Sequence, residues 1–293
     1  MRRLLYIGHP HATPEKEDWY KALQKKYECT FYCPDNGREY FHSFDIIYIH
    51  AGSIAYERCL QIKAQFPNAK TVQWTGDCRD NLMPDVLRLK GLVDITLLAC
   101  GMGKQKEMYE KEMGRVEWFP HGVSDWQFKE INPNAKGIVF IGNNYGLFSG
   151  DIARAEICKQ LKQDYGDEFK VYGNGWGDIG EGTVPFEENH IIYNNALIGI
   201  DGSIFNDKDG YFSHRPLQIM AAGCYCPVKV FPQVRLCFPL HWTWDTYSDL
   251  KTLINEARNP DRRSFLVKQQ QEFVRNNYHW DVLVERFDKI IYG

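Results

Sequence analysis

The residues best suited to chemistry lie close together in one stretch, 209–231, which reads DGYFSHRPLQIMAAGCYCPVKVF. Pro216 suits the first turn of a helix, because the backbone N–H that it lacks would have no helical partner there. Gly223 is typical of the residue just past a helix end, so the pattern predicts a helix over 217–222. Arg215 would then lie at the helix N-terminus, where unpaired backbone N–H groups and the helix dipole attract anions. A cation at a helix N-terminus predicts a binding site for a diphosphate.

Side chains around Arg215 extend this predicted site. The polar loop before the helix and the first helical turn supply the other predicted contacts, which come from Tyr211, Ser213, His214, Pro216 and Gln218. Arginine suits bidentate contact with phosphate oxygens, so we assign Arg215 the neutralisation of the diphosphate charge. An apolar run over 224–231 follows the helix and predicts a buried strand.

Short apolar runs alternate with amphipathic stretches in the first half of the chain. We predict strands at 3–8, 29–33, 45–50, 71–74, 95–99 and 116–119, with helices at 15–27 and 56–66. This alternation indicates a parallel sheet with helices on both faces, whose strands end at one ligand-binding edge. The small or polar residues at these strand ends are Gly8, His9, His50, Gly76, Asp77 and His121, of which Gly8 is also a predicted binding residue. No G-x-G-x-x-G follows the first strand, which argues against a dinucleotide-dependent enzyme.

The alternation begins again after a segment rich in Asn, Pro and charge, 126–136, which we interpret as a linker. Strands are predicted at 137–141 and 169–172, a helix at 153–165, and further sheet over 191–200. Further predicted binding residues in this part are Gly142, Asn143, Asn144, Tyr172, Gly173, Asn174, Tyr193 and Asn195. Arg154, inside the predicted helix, is interpreted as a solvated or paired surface charge. We therefore expect two doubly wound α/β domains, at 1–125 and 137–277, followed by a C-terminal helix at 278–293.

The segment Arg-Pro-Leu-Gln-Ile-Met-Ala-Ala-Gly, 215–223, followed by an apolar strand, resembles the R-x-x-E-x-x-A-x-G signature of GT-B glycosyltransferases. The likeness is greatest to the spore-maturation-protein-like branch of a large retaining family. The glycine-rich strand ends and the ending Tyr278-His279-Trp280-Asp281 are similar to that family too. The resemblance implies a GT-B fold with two facing Rossmann-like domains, an active site between them, and a C-terminal helix crossing back to the first domain. It also implies that the first domain binds the acceptor and the second a nucleotide-sugar co-substrate.

The resemblance implies transfer of a sugar, such as a hexose, to a hydroxyl acceptor. No metal-ligand cluster is visible in the sequence, so we expect a metal-independent reaction in which Arg215 stabilises the leaving diphosphate. An inverting transfer needs a general base, and Asp77 is the preferred candidate. The other candidates are His50, His9 and His121. A retaining transfer could use the departing phosphate instead. Gln218 stands where the family usually carries Glu, so the donor and the stereochemical outcome stay open.

Composition limits the class of protein and of partner. The chain has 293 residues, of which 44% are hydrophobic and 25% charged, as is ordinary for a globular protein. The formal net charge of −3 argues against a broadly basic surface for nucleic acid. No apolar run approaches membrane-spanning length, so we predict a cytoplasmic protein without a transmembrane segment. We also expect either a monomer or a weak dimer. No tightly bound cofactor is expected.

Two other functions stay open at this point. The uncharged Gln218 suits a catalytically silent protein that binds a nucleotide or a sugar on the same fold. A nucleotide-sugar epimerase would need a similar donor site but no acceptor. For a transferase, the acceptor is open among a glycan, a lipid, a protein, a small molecule and a hydroxylated base in DNA.

Overall fold

The computed structural model describes residues 1–32, 43–147 and 149–293. They form two compact units, each with a parallel sheet, which confirms the predicted α/β architecture. Unit 1 comprises Met1–Gly122, Asp209–Tyr211 and Trp280–Gly293, and unit 2 comprises Val123–Lys208 and Phe212–His279. The end of the strand predicted at 29–33 lies outside the described residues. Within these residues, no helix is both long and apolar enough to cross a membrane.

Unit 1 is built on six parallel strands in the order β2-β1-β3-β4-β5-β6. They are β1 (Arg3–Ile7), β2 (Glu28–Tyr32), β3 (Ile46–His50), β4 (Lys70–Thr75), β5 (Ile95–Leu98) and β6 (Val116–Trp118). The helices that follow them are α1 (Pro14–Gln24), α2 (Tyr56–Gln65), α3 (Pro84–Leu87) and α4 (Gly103–Met113). α1 starts where its sequence indicates, because the Thr13 side chain caps it and Pro14 takes its first position. This start fixes Glu15 in the first turn.

Unit 2 has a three-stranded parallel sheet in the order β8-β7-β9 and a separate parallel pair, β10-β11. The strands are β7 (Ile138–Ile141), β8 (Phe169–Tyr172), β9 (Ile198–Gly199), β10 (Val228–Lys229) and β11 (Thr243–Trp244). The helices are α5 (Ser149–Tyr165), α6 (Asn189–Asn195), α7 (Arg215–Ala221), α8 (Val234–Cys237), α9 (Tyr247–Ala257) and α10 (Pro260–Tyr278). Gly223, with φ at 75°, follows α7 as predicted.

Two sequence-based predictions for unit 2 are wrong. Residues 191–193 belong to α6, where the buried Asn189 and Tyr193 are spaced four apart as on one helix face. A short apolar run does not by itself distinguish a helix from a strand. Within the strand predicted at 224–231, β10 covers Val228–Lys229, and a single bridge joins Tyr225 to Ile198 before it. Pro227 interrupts the run because it has no N–H for a strand ladder.

The last helix, α11 (Trp280–Tyr292), completes the core of unit 1. The rings of Trp280 and Phe287 lie 5.2 and 5.5 Å from that of Trp19 in α1. Tyr27 donates a hydrogen bond of 2.8 Å to Asp288 of the same helix. Helix α11 is amphipathic, and its buried face joins α1 and the central strands in one hydrophobic cluster.

Candidate active site

Arg215, the first residue of α7, links two strand ends in unit 2. Its Nε donates a hydrogen bond to the Ile141 carbonyl at 2.7 Å, and its Nη1 donates to the Gly202 carbonyl at 2.8 Å. Its guanidinium carbon lies 4.6 Å from the centre of the Phe140 ring. These contacts fix the cation at the carboxyl ends of β7 and β9. The edge on which it lies is where ligands bind to open parallel sheets.

Glycine is required next to this cation. A Cβ at Gly142 would lie 2.5 Å from Nη2 of Arg215. Gly173, with φ at 126°, faces the carbonyl of Gly142 so closely that a Cβ there would overlap with it. The loops after β7 and β8 are also joined by two hydrogen bonds, from Asn174 N–H to the Asn143 side chain and from Asn144 N–H to the Asn174 carbonyl. The structure thus brings these five predicted residues together beside Arg215.

Arg154 of α5 is a second cation at this place, and its interpretation as a surface charge is wrong. It is only 8% exposed, and its Nη2 pairs with the fully buried Asp151 at 2.6 Å. The same nitrogen donates to the Asn143 carbonyl, and the guanidinium carbon lies 5.6 Å from the centre of the Phe140 ring. Arg154 and the buried Cys158 are four residues apart and therefore lie on one face of α5. This spacing in the sequence could have indicated that Arg154 is buried. Arg154 and Arg215, here called the arginine pair, contact the same aromatic ring.

Two arginines and two buried carboxylates, those of Asp151 and Asp201, set the electrostatics of this part of unit 2. Burial and, next, the charge of Arg215 lower the pKa of Arg154 to about 10, while Asp151 acts in the opposite direction. Arg154 therefore stays charged at neutral pH. The neighbouring Asp201 is 2% exposed, and burial raises its pKa to about 6 against the effect of Arg215. A cavity of about 330 Å³ opens beside Arg154 and Asp201, with mostly apolar walls. An anion is the natural counterpart of two such fixed cations.

The remaining predicted residues of unit 2 divide into two groups. His214 precedes α7 and stacks on Phe186, with ring centroids 5.7 Å apart and planes at 29°. The first group lies around the start of α7 or at the end of β8. Its members are Tyr172, Ser213, His214, Pro216 and Gln218, of which Pro216 and Gln218 are buried.

The second group consists of Tyr193 and Asn195, and Tyr193 is near enough to Arg215 for that charge to oppose the rise in its pKa that burial causes. Tyr193 is 1% exposed, inside unit 2. Asn195 accepts a hydrogen bond from Lys136 N–H at 2.9 Å and another from Asn132 at 3.0 Å. These partners precede β7, so Asn195 lies at the amino edge of this sheet, opposite the edge that holds Arg215. Tyr211 belongs to unit 1, where burial raises its pKa.

Unit 1 carries a polar cavity at the carboxyl edge of its sheet. The cavity measures about 330 Å³ and includes Glu15, Lys16, His50, Asp77, Arg79, Asp85 and His121 in its lining. Gly8, at the end of β1, has φ at 147° and lies beside Ser53 and His50. The topology therefore gathers Asp77 and two of the histidines predicted as bases in one place.

Asp77 is the most accessible acid among these candidates. Its side chain is 66% exposed, and Oδ2 lies 3.5 Å from Nη2 of Arg79. Its backbone N–H donates to the Thr75 hydroxyl at 3.2 Å. The carboxylate is thus held from one side and open to solvent on the other.

His50 is a neutral imidazole at pH 7. Burial and the charge of Lys16 lower its pKa to about 4. Its Nδ1 lies 3.3 Å from the Ala51 carbonyl, and its ring meets that of Trp74 edge to face at 5.4 Å. Since a carbonyl only accepts hydrogen bonds, Nδ1 carries the proton and Nε2 has the lone pair.

His121 differs from His50 because both of its ring nitrogens are engaged. Nδ1 lies 2.5 Å from Glu15 Oε1, and Nε2 lies 3.0 Å from the Gly76 carbonyl. Burial alone would lower the pKa of His121, but the Glu15 carboxylate reverses the effect and the net pKa is raised. This geometry leaves neither nitrogen open to act as a general base.

Replacing Gly76 by alanine is expected to destabilise unit 1 by about 1–3 kcal/mol, because the added methyl group would overlap with the His121 ring. The ring atom Nε2 would lie 2.7 Å from this methyl group, and Cε1 would lie closer still. Urea denaturation measures the effect. Gly202→Ala is the control, since its Cβ would meet only Arg154 atoms at 3.9 Å. Equal stability of the two variants would contradict the close packing of His121 on Gly76.

In the part of the chain that the structure describes, no group of three or more His, Cys, Asp and Glu side chains is arranged to hold a metal ion.

Comparison with known proteins identifies the fold. Residues 154–289 match the family model described as glycosyl transferase-like. No curated protein sequence matches the chain. Among solved structures, T4 phage β-glucosyltransferase is similar over 99% of both chains, with a TM-score of 0.66 and 12% identity. The DNA-modifying enzyme β-glucosyltransferase, with and without uridine diphosphoglucose, has a TM-score of 0.66 and 14% identity over 99% of both chains.

A third similar structure is the UDP-forming α,α-trehalose-phosphate synthase of Burkholderia xenovorans. Its TM-score is 0.59 at 10% identity, over 84% of this chain and 73% of the synthase. At these identities the likeness establishes the fold. The protein therefore has the GT-B fold of glycosyltransferases, and its residues 154–289 carry the sequence pattern of the glycosyl transferase-like family.

Proposed function

We propose that this protein is a glycosyltransferase that moves a sugar from a nucleotide-sugar donor to a hydroxyl acceptor. The observation that carries the proposal is the arginine pair, in which the buried Arg154 and the partly buried Arg215 are held against Phe140. The diphosphate is the leaving group in such a transfer, and two fixed cations stabilise its growing negative charge. Arginine suits this role because its planar group contacts two phosphate oxygens at once.

We assign the donor contacts to unit 2. The glycines of the two loops beside Arg215 allow a phosphate to approach the backbone closely. The amide side chains of the same loops suit hydrogen bonds to the ribose or the base. His214 stacked on Phe186 offers an aromatic surface for the base. The proposed donor residues are Gly142, Asn143, Asn144, Arg154, Tyr172, Gly173, Asn174, Ser213, His214, Arg215, Pro216 and Gln218.

We assign the acceptor and the base to unit 1. During transfer, the bond from the anomeric carbon to the diphosphate oxygen breaks, and its electron pair leaves with the diphosphate. A bond from the anomeric carbon to the acceptor oxygen forms. The acceptor proton goes to Asp77 in an inverting transfer or to the departing phosphate in a retaining one. The exposed carboxylate of Asp77 supports the first route, and the neutral His50 is the second candidate base.

UDP-glucose is the first donor to test. The similar structures include T4 phage β-glucosyltransferase in complex with UDP-glucose and, separately, with UDP and Mn²⁺. We propose that the arginine pair neutralises the diphosphate here without a metal ion. Rates with EDTA equal to those with added Mn²⁺ would support this, and a requirement for Mn²⁺ would overturn it.

A neutral hydroxylated acceptor, a glycan or a small molecule, is one option for unit 1, because its cavity mixes acidic and basic side chains. The name of the DNA-modifying β-glucosyltransferase makes a hydroxylated base in DNA the other option to test. DNA binding would weaken steeply as salt rises, whereas binding of a neutral acceptor would change little. The salt dependence of acceptor binding distinguishes the two.

Nucleoside diphosphates are expected to raise the melting temperature of the protein more than the matching monophosphates, because only the former bridge the arginine pair. Ligand at 100 times its dissociation constant adds about 2.7 kcal/mol to the free energy of unfolding. The measurement is a thermal-shift panel of UDP, UMP, UDP-glucose and other nucleotide sugars. Equal shifts for UDP and UMP, or none for any compound, would contradict the proposal. Donor binding without transfer or hydrolysis would instead indicate the catalytically silent binding protein that Gln218 allows.

Three further assignments complete the proposal. The motif at 215–223 supports membership of the spore-maturation-protein-like branch. The transferred sugar is proposed to be a hexose. The protein is proposed to act as a monomer or weak dimer in the cytoplasm.

A further inference from the structure

We propose that His121 is a positioning residue: as an imidazolium paired with Glu15, it fixes the Gly76 carbonyl and thereby the loop that presents Asp77. This inference rests on the proposed role of Asp77 as the base. It assigns His121 a different role from the general base that its place at a strand end predicted.

The hydrogen-bond partners of His121 define its protonation. The Gly76 carbonyl can only accept a hydrogen bond, and so can the ionised Glu15 carboxylate. Both ring nitrogens of His121 must therefore donate, which requires one proton more than a neutral imidazole carries. The side chains of His121 and Glu15 are only 12% and 21% exposed, so the pair is largely shielded from water. A charge-assisted hydrogen bond of 2.5 Å is consistent with this assignment.

Packing holds the imidazolium in a single position. The ring lies directly on Gly76, where no Cβ would fit. Trp74 meets the ring edge to face at 5.7 Å, and its own Nε1 donates to the Phe119 carbonyl at 3.1 Å. The ring thus has contacts with the end of β4, the first turn of α1 and the segment after β6.

The hydrogen bond from His121 to the Gly76 carbonyl, here called the clamp, acts on the residue next to Gly76. The Gly76 carbonyl belongs to the peptide group that continues into Asp77, so the bond from His121 fixes the plane of that peptide. The other backbone contacts of Asp77 are weaker or more distant: its N–H donates to Thr75 at 3.2 Å, and its carbonyl accepts from the Cys100 thiol at 3.8 Å. Without His121, the direction of the Asp77 carboxylate would be less well defined.

The clamp is expected to depend on pH. The charged or titratable groups around His121 are Glu15 and Lys16 of α1, His50 of β3, Asp77 and Arg79 after β4, and Asp85 of α3. Burial opposes protonation of His121, but Glu15 outweighs it and raises the pKa above 6.5. Protonation in the folded state therefore stabilises the fold fully below about pH 6.5, and this contribution is lost as pH rises through the folded-state pKa. Turnover is expected to decline over the same alkaline range.

The test compares His121→Gln with His121→Leu. The glutamine variant keeps a hydrogen-bond donor for Gly76 but does not titrate, and the leucine variant has neither property. We expect kcat to fall about 10²-fold for His121→Leu, as for other misplaced catalytic groups. The glutamine variant should recover part of this loss and should lack the alkaline decline. The KM for the donor should change little in both, since the proposed donor residues lie in unit 2. Equal losses in the two variants with an unchanged alkaline decline would overturn the proposal.

A readout without substrate separates this inference from the proposed function. The ring ¹⁵N shifts of His121 should show an imidazolium at pH 7, and those of the exposed His11 serve as the reference. In Glu15→Gln, the His121 ring should become neutral at pH 7. A neutral ring in the wild type would overturn the proposal whether or not the protein transfers a sugar.

Discussion

Arg215→Ala is expected to remove measurable binding of nucleoside diphosphates and to lower kcat/KM for the transfer by about 10²–10³-fold. Fixed donors to a developing charge contribute this much to rate when they are removed one at a time. The substitution also leaves the carbonyls of Ile141 and Gly202 without their donor, so the free energy of unfolding should fall by about 1–3 kcal/mol. Isothermal titration with UDP and urea denaturation measure the two effects.

Two matched variants separate charge from geometry at this position. Arg215→Lys keeps a positive charge but not the planar fork, and should recover little of the binding. Arg258→Ala removes an arginine of unit 2 that is 39% exposed and paired with Glu168 at 2.7 Å. UDP binding should be unchanged in that variant. Full UDP binding by Arg215→Ala would exclude Arg215 from the donor site.

Asp77→Asn is expected to lower kcat by about 10²–10⁴-fold while UDP binding stays the same, because the amide cannot accept the acceptor proton. Stability should change by less than about 0.5 kcal/mol, since the side chain is largely exposed. Steady-state kinetics and the thermal shift with UDP measure the two quantities.

Asp85→Asn is the control for Asp77→Asn. Asp85 lines the same cavity, is 61% exposed and pairs with Arg88 at 2.9 Å. Its replacement should leave kcat within a few-fold of the wild type. If Asp77→Asn retained full turnover, the base would be His50 in an inverting transfer or the departing phosphate in a retaining one.

Local sequence signals were sufficient for the position of α7, which begins at Arg215, and for most strands. Pro216 and Gly223 delimit α7 through backbone constraints that act within a few residues. The parallel sheets follow from the alternation of apolar runs with helices. These predictions succeeded because they need no knowledge of what packs against each element.

The predictions that failed depend on contacts between distant residues. Arg154 is buried because α5 turns it toward the Asn143 loop, and residues 191–193 are helical with Asn189 and Tyr193 buried on one face. The pair of His121 and Glu15 joins residues 106 positions apart, so no local pattern reveals it. Long-range packing decided each of these cases, as it commonly overrides local preference.

The position of α11 has a consequence for synthesis of the chain. Most of unit 1 leaves the ribosome before unit 2, but Trp280 and Phe287, which fill its core beside Trp19, are translated after unit 2. Domains generally fold in the order in which they emerge. Here unit 2 is translated in full before the core of unit 1 can close, so residues 1–122 must keep an apolar face uncovered until α11 has been translated. An N-terminal fragment that stops at Gly122 lacks that cover, and is a poor substitute for unit 1 in binding experiments.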